Sequence, residues 1–226
     1  MKLSNDTLVI LKNFSTINPG ILFKAGSVLS TMSSQRNILA DANIKENFPQ
    51  DFGVYDLNNF LSVLSLYKDG ADLQFDDKHV IIQGMGGRSK IKYRITDPSM
   101  IVIAPDRRPK LPSIDVDFSL TESQFNWMMK TAQVLSSPNI AVESDGESVN
   151  LVTFDGNNNA AHTNFIQLPE VESKGKVFKL VFKTENLKML PGNYVIQISK
   201  NGISKFVSDE LGLTYYVTLE MNSVYE

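Results

Sequence analysis

An amphipathic helix pattern occurs twice in this chain, and the repetition constrains the fold more than any other feature. The first copy covers residues 4–17, where apolar side chains recur every three or four positions and so share one helix face. The residues of that face are Leu3, Thr7, Ile10, Leu11, Phe14 and Ile17. A single cation, Lys12, lies on the opposite face with Asn5, Val9 and Thr16. One face is therefore predicted to pack on a core and the other to meet solvent or a partner.

The second copy covers residues 121–136 and begins with Thr121 and Gln124, the pattern of a helix capping box. An offset of 118 residues carries Lys12 onto Lys130, which again lies opposite the core face. The apolar positions of the second copy are Phe125, Met128, Met129, Ala132 and Leu135. Because both faces match, we predict a tandem duplication of one structural unit.

The order of elements repeats as well, since each half of the chain has the pattern helix, strands, helix, strands. The second helices are predicted at 56–66 and, as a shorter helix, at 184–190. Alternating apolar segments predict the strands, and Asp145-Gly146 predicts a hairpin turn. The strand segments of the first half are 20–48 (two or three strands), 52–55, 71–75, 79–84, 89–95 and 100–104; those of the second half are 115–120, 139–144, 148–155, 162–168, 177–183, 193–199, 203–208 and 214–221. The predicted fold class is α+β, with two tandem copies of a unit in which two helices cover one face of an antiparallel sheet.

A segment near the middle of the chain separates the two halves. Residues 104–113, APDRRPKLPS, hold three prolines and four charged residues. Proline donates no backbone hydrogen bond, so this segment cannot easily continue a sheet and is predicted to be an extended linker. The expected organisation is an N-terminal domain at 1–104, a linker at 105–113 and a C-terminal domain at 114–226.

The composition excludes several classes of protein. The 226 residues include no cysteine, which rules out disulfides, thiolate metal sites and cysteine nucleophiles. We expect no membrane span and no secretory signal, because the apolar runs are short and the first residues lack the basic-then-apolar pattern. The formal net charge is −3, whereas a compact protein that grips DNA with its whole surface is usually basic. Any contact with DNA is therefore expected to be local, loose or topological.

The sequence carries no catalytic or metal-binding signature. His79 and His162 lack metal-ligand spacing, and we interpret both as ordinary surface residues. The glycine-rich segment 84–89 lacks the lysine of a phosphate-binding loop and leads into a strand, so a hairpin turn at its glycines is predicted. Asp115 and Asp117 are interpreted as strand-edge charges, because nothing places them around a substrate. We expect no enzymatic activity, no metal and no other cofactor.

Two further features allow more than one interpretation. Four cations alternate along one predicted strand and would share one of its faces, and we call them the basic stripe: Arg88, Lys90, Lys92 and Arg94. The stripe either contacts an anionic polymer or forms a solvated row of charge that protects a sheet edge, and the second interpretation is favoured. Trp127 lies on the non-core face of its helix, where it either stacks on a base or covers a neighbouring helix or subunit edge.

A set of short motifs extends along nearly the whole chain. They are MKLS at 1–4, LKNFSTIN at 11–18, ANI at 42–44, YDLNNFLSVLSL at 55–66, DPS at 97–99, AP in the linker, MLPGNY at 189–194 and YYVTLE at 215–220. Together they resemble the sliding clamps of T-even-type bacteriophages, the DNA polymerase processivity factors. The motifs in 1–66 and 189–220 are quite specific, whereas 113–180 matches mainly in the order of its elements.

The resemblance implies a subunit of the same class as the eukaryotic proliferating cell nuclear antigen. Three such subunits would close into a ring of six similar domains, with helices lining the hole and sheets forming the outer shell. The ring would encircle double-stranded DNA and tether the phage replicative polymerase, which gives processivity. The resemblance also implies loading by an ATP-driven clamp loader, a role in late transcription, and a location in the cytoplasm of the infected bacterial host.

The resemblance gives candidate site residues as well. For the DNA-facing surface we expect Lys12 and Lys130, with Lys2 and Lys188 as weaker candidates. A few lysines near the phosphates would provide weak, sequence-independent attraction that permits sliding. Partners of the family insert peptide tails into an apolar pocket near the interdomain linker, and the corresponding residues here are Leu39, Ile103, Ala104, Pro105, Leu111 and Pro112. Phage members carry an aromatic residue where this chain has Leu39, and the basic linker favours an acidic tail.

Two other classes of protein serve as alternatives. A β-rich virion or tail protein that assembles through edge strands would also be acidic, cysteine-free and repetitive. It would give no reason, however, for lysines on matching helix faces. A hydrolase that uses paired aspartates or glutamates is the third possibility, and no motif supports it.

Overall fold

The computed structural model describes residues 1–67, 70–84, 88–158 and 160–226. The chain forms two compact units, Met1–Arg107 and Arg108–Glu226, and the division falls within the predicted linker. We call them the first unit and the second unit and describe each by itself. Among the described helices, none is both long enough and apolar enough to cross a membrane.

The described residues of the first unit form two α-helices and seven antiparallel strands. In chain order its elements are α1 (Asn5–Ile17), β1 (Ile21–Phe23), β2 (Gly26–Met32), β3 (Ile38–Phe48), β4 (Phe52–Val54), α2 (Leu57–Ser65), β5 (Asp72–Phe75), β6 (His79–Gln83) and β7 (Lys90–Arg94). Strand β1 pairs with β4, and β2 pairs with β3. Strands β5, β6 and β7 form an antiparallel meander, in which β7 is an outer strand.

The core of the first unit contains a cluster of buried aromatic rings. The Phe23 ring stacks on Phe52 with the centroids 4.4 Å apart, and Phe48 and Phe60 lie 5.0 and 6.1 Å from Phe23. Burial of each such side chain stabilises the fold by about 1.5–3 kcal/mol. The cluster therefore packs α2, which carries Phe60, against the strands. The buried residues of α1 are Thr7, Ile10, Leu11, Phe14 and Ile17, as the helix pattern predicts.

The described residues of the second unit form one α-helix and two groups of antiparallel strands. In chain order its elements are β8 (Val116–Leu120), α3 (Glu122–Val134), β9 (Asn139–Asp145), β10 (Val149–Phe154), β11 (Asn164–Gln167), β12 (Val177–Lys183), β13 (Tyr194–Ser199), β14 (Ile203–Ser208), β15 (Leu213–Thr218) and β16 (Val224–Tyr225). One group pairs in the order β11, β10, β9, β12 and β16. The other pairs in the order β15, β14, β13 and β8.

The core of the second unit joins the two groups of strands and the helix. The Phe182 ring of β12 lies 5.9 Å from the Phe206 ring of β14, and the Phe125 ring of α3 lies 5.7 Å from Tyr194 of β13. The buried residues of α3 are Phe125, Met128 and Ala132. The remaining two predicted core positions of α3 are half-buried, so the helix packs on its predicted face.

Much of the predicted order of elements is confirmed. The α+β class, the three main helices and the antiparallel pairing agree with the prediction. The hairpin at Asp145-Gly146 joins β9 to β10, and Gly146 adopts a φ of 98°, a conformation that glycine reaches at little cost. The predicted turn at 84–87 cannot be compared, because Met85, Gly86 and Gly87 lie outside the described residues.

Two predicted elements are wrong and one strand was missed. Residues 184–190 form only a 3-10 turn at Thr184–Asn186, because a segment of seven residues has too little helical stability of its own to extend that turn into an α-helix. Residues 100–104 form no strand, since Asp97 caps a 3-10 turn at Pro98–Met100 that redirects the chain. The short strand β16 near the C-terminus lacks any clear alternation in the sequence.

Candidate functional site

Lys12 lies on the exposed face of α1. Ser4 caps the helix, and its side-chain oxygen accepts a hydrogen bond from the Thr7 N–H at 3.3 Å. The buried residues of α1 recur every three or four positions, which leaves Lys12 opposite them. In the described part of the chain no carboxylate forms an ion pair with Lys12. Its charge is therefore available to an anionic ligand.

A carboxylate from β3 fixes the beginning of α1. Glu46 accepts hydrogen bonds from the Ser4 N–H and, at 2.6 Å, from the Thr7 hydroxyl. The neighbouring Lys45 forms an exposed ion pair with Asp6 at 2.8 Å. Desolvation raises the pKa of Glu46, but the hydrogen bonds from Thr7 and Ser4 outweigh it, and the net pKa lies below its ordinary value. The negative charge also complements the positive end of the helix dipole.

Lys130 lies at the equivalent position of α3, but neutral groups fix the beginning of this helix. The predicted capping box is present: Thr121 Oγ1 accepts from the Gln124 N–H at 3.3 Å, and Gln124 Oε1 accepts from the Thr121 N–H at 2.9 Å. The Glu122 N–H donates to Asn193 Oδ1 at 2.9 Å, which ties the helix to the chain before β13. Lys130 is exposed, as Lys12 is.

An open cleft lies beside each of these two lysines. The cleft of the first unit has a volume of about 550 Å³ and is lined by Leu8 and Lys12 of α1 and by Asn58 of α2. The cleft of the second unit has a volume of about 970 Å³ and is lined by Asn126 and Lys130 of α3. Asn126 and Lys130 are the repeat equivalents of Leu8 and Lys12. The duplication therefore preserves the cation, its helix face and an adjoining cleft.

The two weaker candidates lie outside α-helices. Lys2 is exposed and precedes the N-cap of α1. Lys188 is exposed and follows the 3-10 turn, so no helical wheel determines the direction of its side chain. Their positions are compatible with contact to an anion, but they lack the paired geometry of Lys12 and Lys130.

The residues predicted for the partner-peptide pocket lie in both units. In the first unit Leu39 is buried in β3, Ala104 is buried, Ile103 is half-buried and Pro105 is exposed. In the second unit Leu111 is half-buried and Pro112 is exposed. The Asn18 side chain donates to the carbonyl oxygens of Met32 and Val102, which anchors the chain just before Ile103. The pocket itself stays a prediction.

Two outer strands leave backbone groups available for pairing. In the meander of the first unit, β7 carries exposed Lys90, Lys92 and Arg94, which alternate with half-buried residues as the pattern predicts. In the second unit β11 is the outer strand of its group, and Phe165 on it is 67% exposed. Unpaired strand edges of this kind readily add a strand from another chain.

Trp127 is 57% exposed on α3, three residues before Lys130 and on the same non-core side. Val9, its equivalent on α1, is 52% exposed. The repeat thus places an apolar side chain near the lysine in both units. Neither predicted role of Trp127, stacking on a base or covering a neighbouring element, is decided by this exposure.

Asp115 and His79, two of the residues considered for catalysis, take part in local contacts. Asp115 accepts hydrogen bonds from the Ser113 hydroxyl, at 2.5 Å, and from the Lys200 N–H. Desolvation raises its pKa, but these hydrogen bonds and the Lys200 charge outweigh it and hold the pKa below its ordinary value. His79 contacts Asp76 within a turn, and His162 is exposed. The described residues contain no cluster of side chains that could hold a metal ion.

Three features of these surfaces escape the sequence-based reasoning. Glu46 and Asn193 hold the two lysine-bearing helices from distant positions in the chain, and Lys183 shares the cleft of the second unit with Lys130. Helix periodicity carries no information about such long-range partners. Lys183 is the last residue of β12 and pairs with Asn139, so strand alternation alone does not show that it lies at a cleft.

Comparison with known proteins agrees with this architecture. The family described as DNA polymerase processivity factor matches residues 4–103. The sliding clamp of Vibrio phage KVP40 is 32% identical over 224 residues, which covers 97% of this chain and 99% of the relative. The sliding clamp of Enterobacteria phage T4 is 30% identical, with both chains covered completely.

Solved structures of PCNA share this fold. The PCNA of A. fulgidus, in a complex with the C-terminal region of FEN-1, superimposes with a TM-score of 0.71 at 16% identity and covers 98% of each chain. The PCNA of Thermococcus kodakaraensis gives a TM-score of 0.67 at 14% identity and covers 96% of this chain and 98% of that one. Because the sequence identity to these structures is only 14–16%, their similarity to this chain establishes the fold alone.

The similarity to phage clamps extends over the whole chain, and it includes both units and the segment between them. A virion or tail protein finds no support among these relatives. The repeated helices, the two-unit α+β fold and the full-length matches together show that the chain belongs to the sliding clamps of T-even-type bacteriophages, non-enzymatic DNA polymerase processivity factors.

Proposed function

We propose that three copies of this chain close head to tail into a ring around double-stranded DNA and tether the phage replicative polymerase. The observation that carries this proposal is the repeated lysine. Lys12 and Lys130 lie exposed at equivalent positions of α1 and α3, each opposite a buried core face. In a ring of repeated units, equivalent faces can all point toward one axis. The lysine faces then line the hole.

The DNA contact follows from elementary electrostatics. A ring that encircles duplex DNA cannot leave sideways, so tight contacts are unnecessary and would hinder sliding. Lys12 and Lys130, with Lys2 and Lys188 as weaker contributors, attract phosphates without reading the bases. A chain of net charge −3 can therefore serve DNA, because only the inner surface needs positive charge.

Ring closure uses the two outer strands. We place β7 of one copy beside β11 of the next, which continues a sheet from subunit to subunit and hides both edges. Such a contact is head to tail and closes after a fixed number of copies. The basic stripe then lies at the subunit boundary.

The same proposal extends to the other partners. Peptide tails of the polymerase and of an ATP-driven clamp loader occupy an apolar pocket formed by Leu39, Ile103, Ala104, Pro105, Leu111 and Pro112. Exposed Arg107 and Lys110 favour an acidic tail. Late-transcription factors are further candidates for this pocket, and the cytoplasm of the infected bacterial host is the expected location.

A double charge reversal tests the assignment of the DNA-facing surface. In Lys12→Glu plus Lys130→Glu, the length of DNA that the polymerase copies per binding event is expected to fall on the order of tenfold or more, because phosphates are repelled at every unit. The matched control is Lys78→Glu plus Lys176→Glu, which changes one exposed turn lysine in each unit and should leave processivity unchanged. If the Lys12→Glu plus Lys130→Glu variant assembles normally and its processivity is unchanged, Lys12 and Lys130 do not contact DNA.

A further inference from the structure

Asp115 carries a nearly buried carboxylate that the proposed function does not use. Its side chain is 12% exposed, and it lies where the chain leaves the linker and enters β8. The Asp115 N–H donates to the Ile198 carbonyl oxygen at 2.9 Å, next to the pairing of β8 with β13. A charge so little exposed to water is costly unless polar partners satisfy it. The partners of Asp115 therefore show what this carboxylate holds together.

Three neighbouring groups satisfy the Asp115 carboxylate. The Ser113 hydroxyl donates to Asp115 Oδ2 at 2.5 Å, and the Lys200 N–H donates to the same oxygen at 2.9 Å. The Lys200 Nζ lies 4.0 Å from the other oxygen, Oδ1. Hydrogen bonds to a charged acceptor are short, strong and geometrically defined. Asp115 thus joins the end of the linker to the turn between β13 and β14.

The Ser113 hydroxyl has a second contact. It lies 3.0 Å from the hydroxyl of Ser199, which is fully buried at the end of β13. Because the single hydroxyl hydrogen of Ser113 is donated to Asp115, the Ser199 hydroxyl is the donor in this contact. Ser113 is therefore held by one accepted and one donated hydrogen bond, and both partners belong to strands of the same sheet.

Lys200 also contacts the last strand of the chain. The Lys200 Nζ lies 5.4 Å from the centroid of the Tyr225 ring in β16, at the distance of a cation–π contact. Tyr225 in turn stacks on Phe178 of β12, with the ring centroids 5.5 Å apart. The groups that hold the end of the linker are thus anchored in β8, in the turn after β13 and in β16.

We propose that Asp115 is a positioning residue for partner-peptide binding, because it fixes the second-unit end of the linker through Ser113. The inference rests on the proposed function, in which Leu111 and Pro112 contact a peptide tail of the polymerase. Pro112 directly precedes Ser113 and has a restricted backbone, so a fixed Ser113 limits the positions that Leu111 can take. A linker end that is held in advance loses less conformational entropy when the peptide binds, which raises the affinity.

Limited digestion of the full-length protein with trypsin tests the linker without any ligand. Trypsin cleaves after lysine, and Lys110 is exposed and lies shortly before Ser113. Asp115→Asn should accelerate cleavage between Lys110 and Leu111 about fivefold or more, because weaker hydrogen bonds permit local opening. The matched control is Asp117→Asn, which makes the same charge change at an exposed position of β8 and should be cleaved at the wild-type rate. Cleavage of Asp115→Asn at the wild-type rate would overturn the proposal.

Binding of a synthetic peptide tests the consequence for the partner. The probe is a fluorescein-labelled peptide with the sequence of the tail of the same phage's replicative polymerase, and fluorescence anisotropy measures its affinity. Asp115→Asn is expected to weaken binding on the order of tenfold, and Ser113→Ala about fivefold. Ser113→Thr keeps the hydroxyl and should bind as the wild type does. The mass of each variant in solution should equal that of the wild type, because none of the changes lies in β7 or β11.

The outcomes separate failure of the positioning role from failure of the proposed function. If the wild type binds the peptide and Asp115→Asn and Ser113→Ala bind it equally well, the positioning role is overturned and the proposed function stands. If the wild type forms a ring but binds no peptide, the partner site of the proposed function is wrong, and the positioning role fails with it. If the affinity falls only together with the mass in solution, Asp115 has a purely structural role and the proposal is wrong.

Discussion

The two lysine-bearing helices are built alike on their core faces and differently at their beginnings. Both present a buried stripe and one exposed lysine at equivalent positions. The start of α1 is held by the charged Glu46, whereas that of α3 is held by the neutral capping box and Asn193. The duplication therefore preserves the orientation of the lysine and varies the means of holding it. Different contacts hold the two helices, yet the position of the lysine is the same in both. We infer that this position is retained because of the ligand that the lysine contacts.

The same contrast extends to what packs beside the two helices. Phe14 of α1 is fully buried, and its equivalent in α3 is the small Ala132. The first unit keeps α2 next in its chain order, while the second unit has only a 3-10 turn at Thr184–Asn186. Large side chains and a second helix fill more of the first unit, and the cleft of the second unit is the larger of the two.

The largest expected effect follows from the contrast in core packing. Phe14→Ala should lower the free energy of unfolding by about 3–5 kcal/mol, because it removes a fully buried ring. At the equivalent position Ala132→Gly should cost about 1 kcal/mol, since it adds only backbone freedom within a helix. Urea unfolding of both variants measures the difference. Equal costs would mean that the Phe14 ring does not stabilise the core of the first unit.

Glu46 and Asn193, which hold the beginnings of α1 and α3, are expected to contribute less to the free energy of unfolding than the Phe14 ring does. Glu46→Ala removes both hydrogen bonds that hold the beginning of α1. The free energy of unfolding should fall by about 1–2 kcal/mol at pH 7. This is less than the loss of fully buried charged hydrogen bonds would cost, because Glu46 is half-buried. Urea unfolding at pH 7 provides the measurement, and a loss below about 0.3 kcal/mol would contradict the anchoring role.

The Glu46 contribution should also depend on pH. The pKa of Glu46 is lowered in the folded state, so its stabilisation is complete above the unfolded pKa and is lost as the pH falls through the folded pKa. The difference in unfolding free energy between wild type and Glu46→Ala is therefore expected to shrink below about pH 4. A difference that grows with acidity would reverse the predicted sign.

Asn193, which holds the beginning of α3, is expected to have the smallest effect on the free energy of unfolding. Asn193→Ala leaves the Glu122 N–H without its side-chain partner and should cost about 0.5–1.5 kcal/mol. Asn193 does not titrate, and its amide also donates to the exposed Glu210 carboxylate at 3.2 Å, a contact that solvent screens. The cost should therefore change less with pH than the Glu46 effect does. Urea unfolding of Glu46→Ala and Asn193→Ala over the same series of pH values measures this difference. Equal pH dependence of the two unfolding free energies would contradict it.

Periodicity and repetition predicted the parts of the fold that local sequence determines. The core faces of α1 and α3, the capping box at Thr121 and the hairpin at Asp145-Gly146 all depend on residues within one or two turns of chain. The exposed lysines follow from the same pattern, because a residue opposite a buried stripe must meet solvent. The assignment of these lysines to a DNA-facing surface came from the family resemblance and not from helical periodicity.

Features that depend on distant residues could not be predicted in the same way. The apolar spacing at 184–190 resembles that of a short helix, but a helix of seven residues has little stability of its own, and only the 3-10 turn at Thr184–Asn186 forms. The Glu46 anchor spans 39 residues of sequence to reach Thr7. The cleft that contains Lys183 results from an absent helix, for which no local pattern exists.

The central claim is that copies of this chain close into a ring of three, and the mass in solution tests it most directly. Sedimentation equilibrium at micromolar concentration should give about 76 kDa, three times the 25.2 kDa of one chain. Ring-shaped particles should accompany that mass in negative-stain images. A species of 25.2 kDa that persists to high micromolar concentration, with no ring particles, would contradict the account.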